Sequence, residues 1–402
     1  MDSTASHYTP DATGKGHRLA VSRARSVAAV LALSLGCFSF VSTELMPVGV
    51  LPSMADGLGV SLGQAGYLVS CFAFVVALTA APLTGLLGSI NRKALMAILL
   101  AVCCAGNLVT YLAPSYAVVL AGRVLVAAAI GVFWSTAVVT AVHLVHARNA
   151  VRATSIVFAG VSLATVLGIP AGTILGEHLG WRAVFAGLSV LSLLVFAAVA
   201  WSVPAVRISG AATRGALFKV LKNGPLRVLF AATALIVTGN FLAYTYITPF
   251  LEQTARMSAG EISSLLLVYG AAGVIANFAV APFAGKSLKA SMVVVTALMT
   301  VGLVALSLQV MNHMVVLALW GAAYGALPVL LQTSVFKASS LIEGGTDAAT
   351  SMNVAVFNAA IGLGALVGGL IINAVGASFI PQVAAGFVLA GLLVVAGLIR
   401  KV

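Results

Sequence analysis

The residues of this sequence that could do chemistry are few, and the first is Glu44, in the stretch Val41–Pro52 (VSTELMPVGVLP). It is the one acidic residue that lies inside an apolar run. A carboxylate in hydrocarbon is costly, so it ordinarily faces a bundle interior or a watery cavity and marks a pathway. Pro47, three residues on, has no N–H and frees a backbone carbonyl that must find a neighbouring helix, a cavity or water. The plainer expectation is a Glu that only hydrogen-bonds an adjacent helix. The one basic residue inside an apolar run is Arg123. Counted from the ends of their runs, both groups sit about seven residues in, or roughly 10 Å at 1.5 Å per residue. A carboxylate beside a guanidinium stays ionised, and one that loses that partner or its water takes up a proton more readily. Two such states would let Glu44 bind and release a proton as a cavity switches sides. The competing expectation is a purely structural Arg123, bonded to carbonyls of the helix that carries Glu44.

The second half of the chain has no charged residue inside its apolar runs, so its candidate contacts for a solute are polar and aromatic: Asn240, Tyr244, Tyr246, Tyr269, Asn277, Tyr324, Gln332 and Asn358. Trp134 in the first half is either a stacking wall or ordinary core. Each of these serves equally well as glue between helices. An uncharged half and a single charge pair suit a neutral or weakly polar solute, with sugars, nucleosides and small aromatic compounds all compatible. The runs hold no HExxH, no Ser/His/Asp set and no Cys/His cluster, and Cys37, Cys71, Cys103 and Cys104 sit in apolar runs without metal-ligand spacing. Catalysis, a metal and a cofactor are therefore not expected, and a membrane-embedded enzyme is the weakest reading.

These few groups must be positioned by a chain of 402 residues that is 61% hydrophobic and 7% charged, against roughly 25% charged in soluble domains. A bilayer-spanning helix needs roughly 20 apolar residues. Twelve such runs are expected, over 26–51, 64–88, 94–113, 116–143, 154–176, 183–203, 226–250, 261–284, 291–311, 314–336, 351–373 and 379–399. Residues 1–25 are polar and basic without an apolar core and read as a cytoplasmic tail, not a cleavable signal. With that tail inside, eighteen Lys and Arg fall on the cytoplasmic side, two (Arg182 and Arg256) fall outside, and Arg123 falls within a span. This asymmetry sets the orientation, with both termini cytoplasmic, and explains the net charge of +12 without nucleic acid.

The runs form two sets of six: 26–203 and 226–402 as bundles, with 204–225 as a basic cytoplasmic linker. The sets repeat. Ala81-Pro82-Leu83-Thr84-Gly85 ends the second run and Ala281-Pro282-Phe283-Ala284-Gly285 the eighth, and Gly168, Gly172 and Gly180 recur 196 residues on as Gly364, Gly368 and Gly376. Both sets start inside, so the repeat is parallel, as in carriers whose halves face each other across a midplane site. The fifth run carries Gly160, Ala164, Gly168, Gly172 and Gly176 at intervals of four, a flat stripe that lets another helix approach closely. The stripe fits either packing alone or a sliding contact between the halves.

Together these features resemble the major facilitator superfamily in its drug/proton antiporter branch, and within it bacterial sugar-efflux and arabinose-efflux-type permeases. The residues carrying the resemblance are Thr43-Glu44-Leu45-Met46-Pro47-Val48-Gly49, Arg123, Phe133-Trp134-Ser135, Gly168-Ile169-Pro170-Ala171-Gly172, Gly180-Trp181-Arg182, Ala243-Tyr244-Thr245-Tyr246 and Pro249-Phe250. Two motifs depart from the family pattern. Gly85-Leu86-Leu87-Gly88 is followed by Ser89 where the family has Asp, leaving Arg92 and Lys93 as the basic end of that loop. Ile169 stands between Gly168 and Pro170, where the antiporter motif reads Gly-Pro. The resemblance implies an all-α polytopic fold of twelve transmembrane helices in a bacterial inner (plasma) membrane. It also implies a monomer that exports a small organic solute by proton antiport with alternating access, with the proton gradient as energy source. Glu44 and Arg123 would couple the proton, while Pro47, Gly85, Arg92, Lys93, Gly168, Pro170, Gly172, Gly176, Gly364 and Gly368 would serve gating and helix packing. A uniporter or an importer of a neutral solute is the alternative.

Overall fold

The computed structural model of the chain describes residues 23–87, 90–146, 149–205, 216–340, 342 and 345–398. Most of the expected tail, the segment 206–215 of the linker and the last four residues lie outside these. Among the described residues twelve helices are long and apolar enough to cross a membrane. They are α1 (Ala24–Leu58), α2 (Leu62–Leu87), α3 (Arg92–Leu112), α4 (Tyr116–His143), α5 (Arg152–Leu179), α6 (Trp181–Ser202), α7 (Gly224–Thr245), α8 (Ala259–Lys286), α9 (Leu288–Leu308), α10 (His313–Ser339), α11 (Ala348–Val375) and α12 (Ala377–Gly397). All-helical structure is what lipid demands of an open chain, because each backbone polar group must be satisfied within its own segment. The protein is an all-α, multi-pass membrane protein.

The helices alternate in direction. One end of the bundle therefore carries the start of α1, the α2–α3 and α8–α9 turns and the short helix Ala216–Lys222. Arg92, Lys93, Lys219, Lys222, Lys286, Lys289 and Lys337 gather there, and we call it the basic end and its opposite the far end. One buried cluster is built from α1–α6 alone, around Phe40, Phe72, Met96 and Phe133. The largest cluster is built mainly from α7–α12, around Tyr246, Phe250, Met299 and Trp320.

The helix bounds differ from the sequence expectation most at α1, which continues through Pro52 to Leu58 and takes up the second proline with a kink at Val50 (φ −122°, ψ 18°). Glu44 thus lies deeper below the far end than the run length suggests. Helix α5 widens into a π turn at Ala164–Gly168, immediately before Pro170. A π turn adds a residue to the ladder just where proline removes a donor. Helix α7 breaks at Tyr246 and resumes as Ile247–Gln253.

The glycine stripe of α5 faces α1 within its own half. A Cβ added at Gly160 would stand 1.9 Å from the Ser34 carbonyl oxygen, at Gly168 2.6 Å from Ser42 Oγ, at Gly172 2.1 Å from Met46 Sδ and at Gly176 2.6 Å from Val50 Cγ1. This corrects the reading of the stripe as a sliding surface between halves. The repeat holds at the level of contacts: Gly364 of α11 meets Thr238 of α7, the counterpart of Gly168 on Ser42, and Gly368 meets Tyr246 and the Leu242 carbonyl. The part of α5 that does meet the other half is the π turn and the segment that follows it. Gly270 of α8 lies against Thr165 and Val166, and Ser263 Oγ donates to the Pro170 carbonyl at 2.9 Å.

Candidate functional site

The site is organised by two prolines in one helix. Pro47 leaves the carbonyl of Thr43 without its helical donor, and Pro52 does the same to Val48. Arg123 of α4 fills the first gap: one guanidinium nitrogen donates to the Thr43 carbonyl and the other to that of Glu44, at 2.8 Å. Thr248, from the short helix after α7, fills the second, its hydroxyl donating to the Val48 carbonyl at 2.8 Å. One broken helix is thus held on one side by its own half and on the other by the opposite half.

Arg123 is buried, with its guanidinium 4.3 Å above the Phe72 ring. Each of its two terminal nitrogens donates one N–H to main chain, and the Glu44 carboxylate is not among their described hydrogen-bond partners. The carbonyl bonds of the structural alternative are thus present, and the guanidinium also lies within electrostatic reach of the Glu44 carboxylate. Thr43 is also held from behind, since Asn107 Nδ2 donates to its hydroxyl at 3.0 Å. Asn107 was not singled out in the sequence; its only signal was an amide in the middle of an apolar run.

Glu44 is half-buried. Tyr324 of α10, in the opposite half, comes within electrostatic reach of it.

The other sequence candidates separate into three groups. Asn240, Tyr244 and Tyr269 are buried in an aromatic nest of the second half. Asn240 Oδ1 accepts from Trp320 Nε1 at 2.9 Å and from the Tyr269 hydroxyl at 3.5 Å. Tyr244 stacks on Tyr269 at 4.8 Å, and Tyr269 meets Trp320 edge-on at 5.1 Å. Trp320, unnoticed in the sequence, is the centre of this nest. Tyr324 stands at its rim, half-buried, with its ring 5.9 Å from Phe241. Gln332 and Asn358 line a cavity of about 110 Å³ between α10 and α11. Trp134 packs on Phe158 at 5.9 Å inside the first half, and Asn277 is half-buried near the basic end of α8.

Tyr246 forms its own case. It is fully buried at the far end, its hydroxyl donating to the Ala365 carbonyl at 2.8 Å and pressing on Gly66 of α2. The structure places it in a seal between the halves instead of in a cavity wall. Three side-chain hydrogen bonds belong to the same seal: Thr248 to Val48, Ser263 to Pro170, and the Gly63 N–H to Asn373 Oδ1 at 3.2 Å. The described contacts between halves reach as deep as the Phe74 ring against Gly362, near the middle of both helices. Nearer the basic end, Leu78, Leu86, Ile275 and Phe283 expose most of their surface, and no neighbour stands within 4 Å of Gly85 or Gly285. Arg92 is buried there and Lys93 half-buried. Among the described residues, the halves meet at the far end, and no contact between them is described toward the basic end.

A second cavity, of about 300 Å³, lies within the far end against Gly49, Pro52, Ser53, Thr173, Glu177 and Glu252. Burial, together with Asp56 and Glu177 nearby, holds the Glu252 carboxyl above the usual carboxylate range.

The sequence profile of the Major Facilitator Superfamily matches residues 31–346. A protein of Bacillus subtilis (strain 168), described as the uncharacterized MFS-type transporter YtbD, is 32% identical over 356 residues, covering 87% of this chain and 90% of its own. Among solved structures, a variant of the nucleoside transporter NupG superposes with a TM-score of 0.79 at 11% identity, covering 94% of this chain and all of that one. A bacterial homologue of the human lysosomal transporter Spinster, in an inward-facing and occupied conformation, superposes with a TM-score of 0.69 at 17% identity, covering 94% of both chains.

Proposed function

The chain belongs to the Major Facilitator Superfamily, and on that premise we propose that this membrane transporter exports a small, uncharged organic solute in exchange for protons, by alternating access. The observation that carries the reading is Glu44: a half-buried acid in the interior of a membrane-spanning helix, within electrostatic reach of Tyr324 in the opposite half. An ionisable group in that position is a functional site by default. Sugar-like and drug-like solutes both fit the uncharged second half, and so does a nucleoside, the solute class for which the structural relative NupG is named.

The basic end is cytoplasmic in this reading, from the eighteen-to-two asymmetry of Lys and Arg. The membrane is the bacterial plasma membrane, and halves that meet at the far end, with no described contact toward the basic end, make this the inward-facing state. The two six-helix halves are the moving bodies, and the seal around Tyr246 is what parts when the far end opens. Arg123 keeps the broken α1 in shape while Glu44 changes charge. Because the guanidinium is held by main-chain carbonyls, the cation stays in place in either protonation state of the acid.

The same observation favours one competing reading. A cation hydrogen-bonded to main chain instead of to the acid is also what an uncoupled facilitator would have. Purified protein in liposomes, assayed with labelled pentoses, hexoses and nucleosides with and without an imposed pH gradient, separates the two. Accumulation that requires the gradient supports antiport. Equal fluxes in both conditions support the facilitator, and no flux of any solute refutes the transport reading in its present form.

A further inference from the structure

We propose that Gln332 and Asn353 form a polar subsite, in the cavity wall between α10 and α11, that binds one uncharged hydroxyl or carboxamide group of the transported solute. The inference rests on the transporter reading above and names the chemistry of its solute.

The two amides are locked in place from behind. Thr233 Oγ1 of α7 lies 3.2 Å from Asn353 Oδ1, Asn353 Nδ2 donates to Gln332 Oε1 at 3.1 Å, and Gln332 Nε2 donates to Thr350 Oγ1 at 3.2 Å. Asn353 itself is 4% exposed. A primary amide has two N–H donors and an oxygen with two lone pairs. The described ladder uses one donor of each amide and one lone pair of Gln332, and the Thr233 hydroxyl is shared between Asn353 Oδ1 and the Leu229 carbonyl, so at least half of the amides' capacity remains in a fixed direction.

The ladder borders space. A cavity of about 110 Å³ is walled by Pro328, Leu331 and Phe357, with Gln332, Asn353 and Asn358 as its polar groups. A water needs roughly 10–15 Å³ on this measure, so several waters or one solute group fit. Whole small-molecule sites run to roughly 300–1,000 Å³, which makes this a subsite for a single moiety. Apolar walls with a few convergent polar groups are the pattern of a ligand site. Amides that only join helices would lie within a closed contact, whereas Gln332 and Asn358 are half-buried at the cavity.

The donor and acceptor pattern narrows the group. Asn358 Nδ2 is committed to the Val354 carbonyl at 2.9 Å, which leaves Oδ1 to accept. The ladder amides offer N–H. A group that donates to one and accepts from the other is a hydroxyl or a primary amide; an ether or a ketone supplies only half of it. Among the described residues no Asp, Glu, Lys or Arg lines the cavity, and an ionic group there would be desolvated without a counter-charge from them.

The test measures binding of D-xylose, uridine and nicotinamide to purified protein by thermal shift and tryptophan quenching. The first two probe the hydroxyl class and the third the carboxamide class. Wild type should bind at least one of them. Gln332→Leu and Asn353→Leu should each weaken that binding about tenfold, the loss of one hydrogen bond to a placed group. Asn358→Leu, which removes the open acceptor and one bond to its own helix, the Val354 carbonyl, but breaks no bond of the ladder, should weaken it similarly with little change in melting temperature. Equal affinity in wild type and all three variants overturns the subsite while leaving the transport reading intact. Wild-type binding of none of the three probes overturns it as well. Failure of the transport reading itself shows separately, as absence of flux in liposomes.

Discussion

Gly66→Ala should force the far end open. Gly66 of α2 is the point where the Tyr246 hydroxyl enters from the other half, and a Cβ there would stand 1.9 Å from that oxygen and 2.5 Å from Cζ. That is at least about 1 Å inside ordinary contact. Tyr246 has no easy retreat. It is fully buried, its hydroxyl is bonded to the Ala365 carbonyl at 2.8 Å, and Gly368 and Gly369 press on its ring and hydroxyl. Overpacking of this kind costs about 1–3 kcal/mol, and here it falls only on the state in which the halves meet. That corresponds to a roughly 5- to 150-fold shift in population toward the open far end. The assay is labelling of Ser53→Cys, in the far-end cavity, by a membrane-impermeant maleimide, with the four native cysteines replaced. Gly66→Ala should speed labelling by a factor in that range. Tyr246→Phe on top of it should give back part of the difference. Gly187→Ala, whose Cβ would meet nothing within 4 Å, should label like the parent. Unchanged labelling in folded Gly66→Ala protein would refute the seal.

Gly160→Ala should lower stability by about 1–3 kcal/mol, because its Cβ would meet the Ser34 carbonyl oxygen at 1.9 Å; a melting temperature in detergent equal to that of Gly187→Ala would contradict the α1–α5 contact. Glu252 gives a pH dependence. Its carboxyl is held above the usual range in the closed far end by burial and by Asp56 and Glu177, so the closed state binds the proton more tightly, is favoured at low pH and weakens as pH rises through that raised value. Labelling of Ser53→Cys should accordingly rise with pH after correction for thiol ionisation, and Glu252→Gln should flatten the rise; a profile identical to the parent's would exclude the group. A reporter fused at Arg214 should read as cytoplasmic, and a signal from the outer side would overturn the orientation.

How far the sequence carries depends on what each residue's environment demands. The twelve spans are legible because lipid leaves a chain of this hydropathy almost no other structure. The two prolines of α1 announce unpaired carbonyls, but not their partners. Arg123 reaches one from two helices away in its own half and Thr248 reaches the other from the opposite half, and a threonine in an apolar helix gives no sign of such reach. The stripe of α5 declares a flat face by its spacing of four, yet spacing does not say which helix lies on it. That information sits in the surfaces of α1 and α8. Gly273, Gly321 and Gly325, which bring α8 and α10 into backbone contact, passed unnoticed, because a single glycine pair spaced by four in α10 is a weaker signal than the long stripe of α5. Tyr246 and Tyr324 look alike as aromatic residues in apolar runs. One is a plug and the other a rim residue, and only the meeting of the halves distinguishes them.

The central claim is that Glu44 carries the proton. Glu44→Gln keeps the size and the hydrogen-bonding groups of the side chain and removes its titration. The decisive measurement is transport of whichever solute the liposome screen identifies, driven by a pH gradient, in wild type and Glu44→Gln at matched density, with solute binding measured separately in detergent. The account predicts that Glu44→Gln binds the solute and loses gradient-driven accumulation. Undiminished gradient-driven accumulation in that variant would contradict it and move the proton to a group outside the helix interiors, such as Asp56.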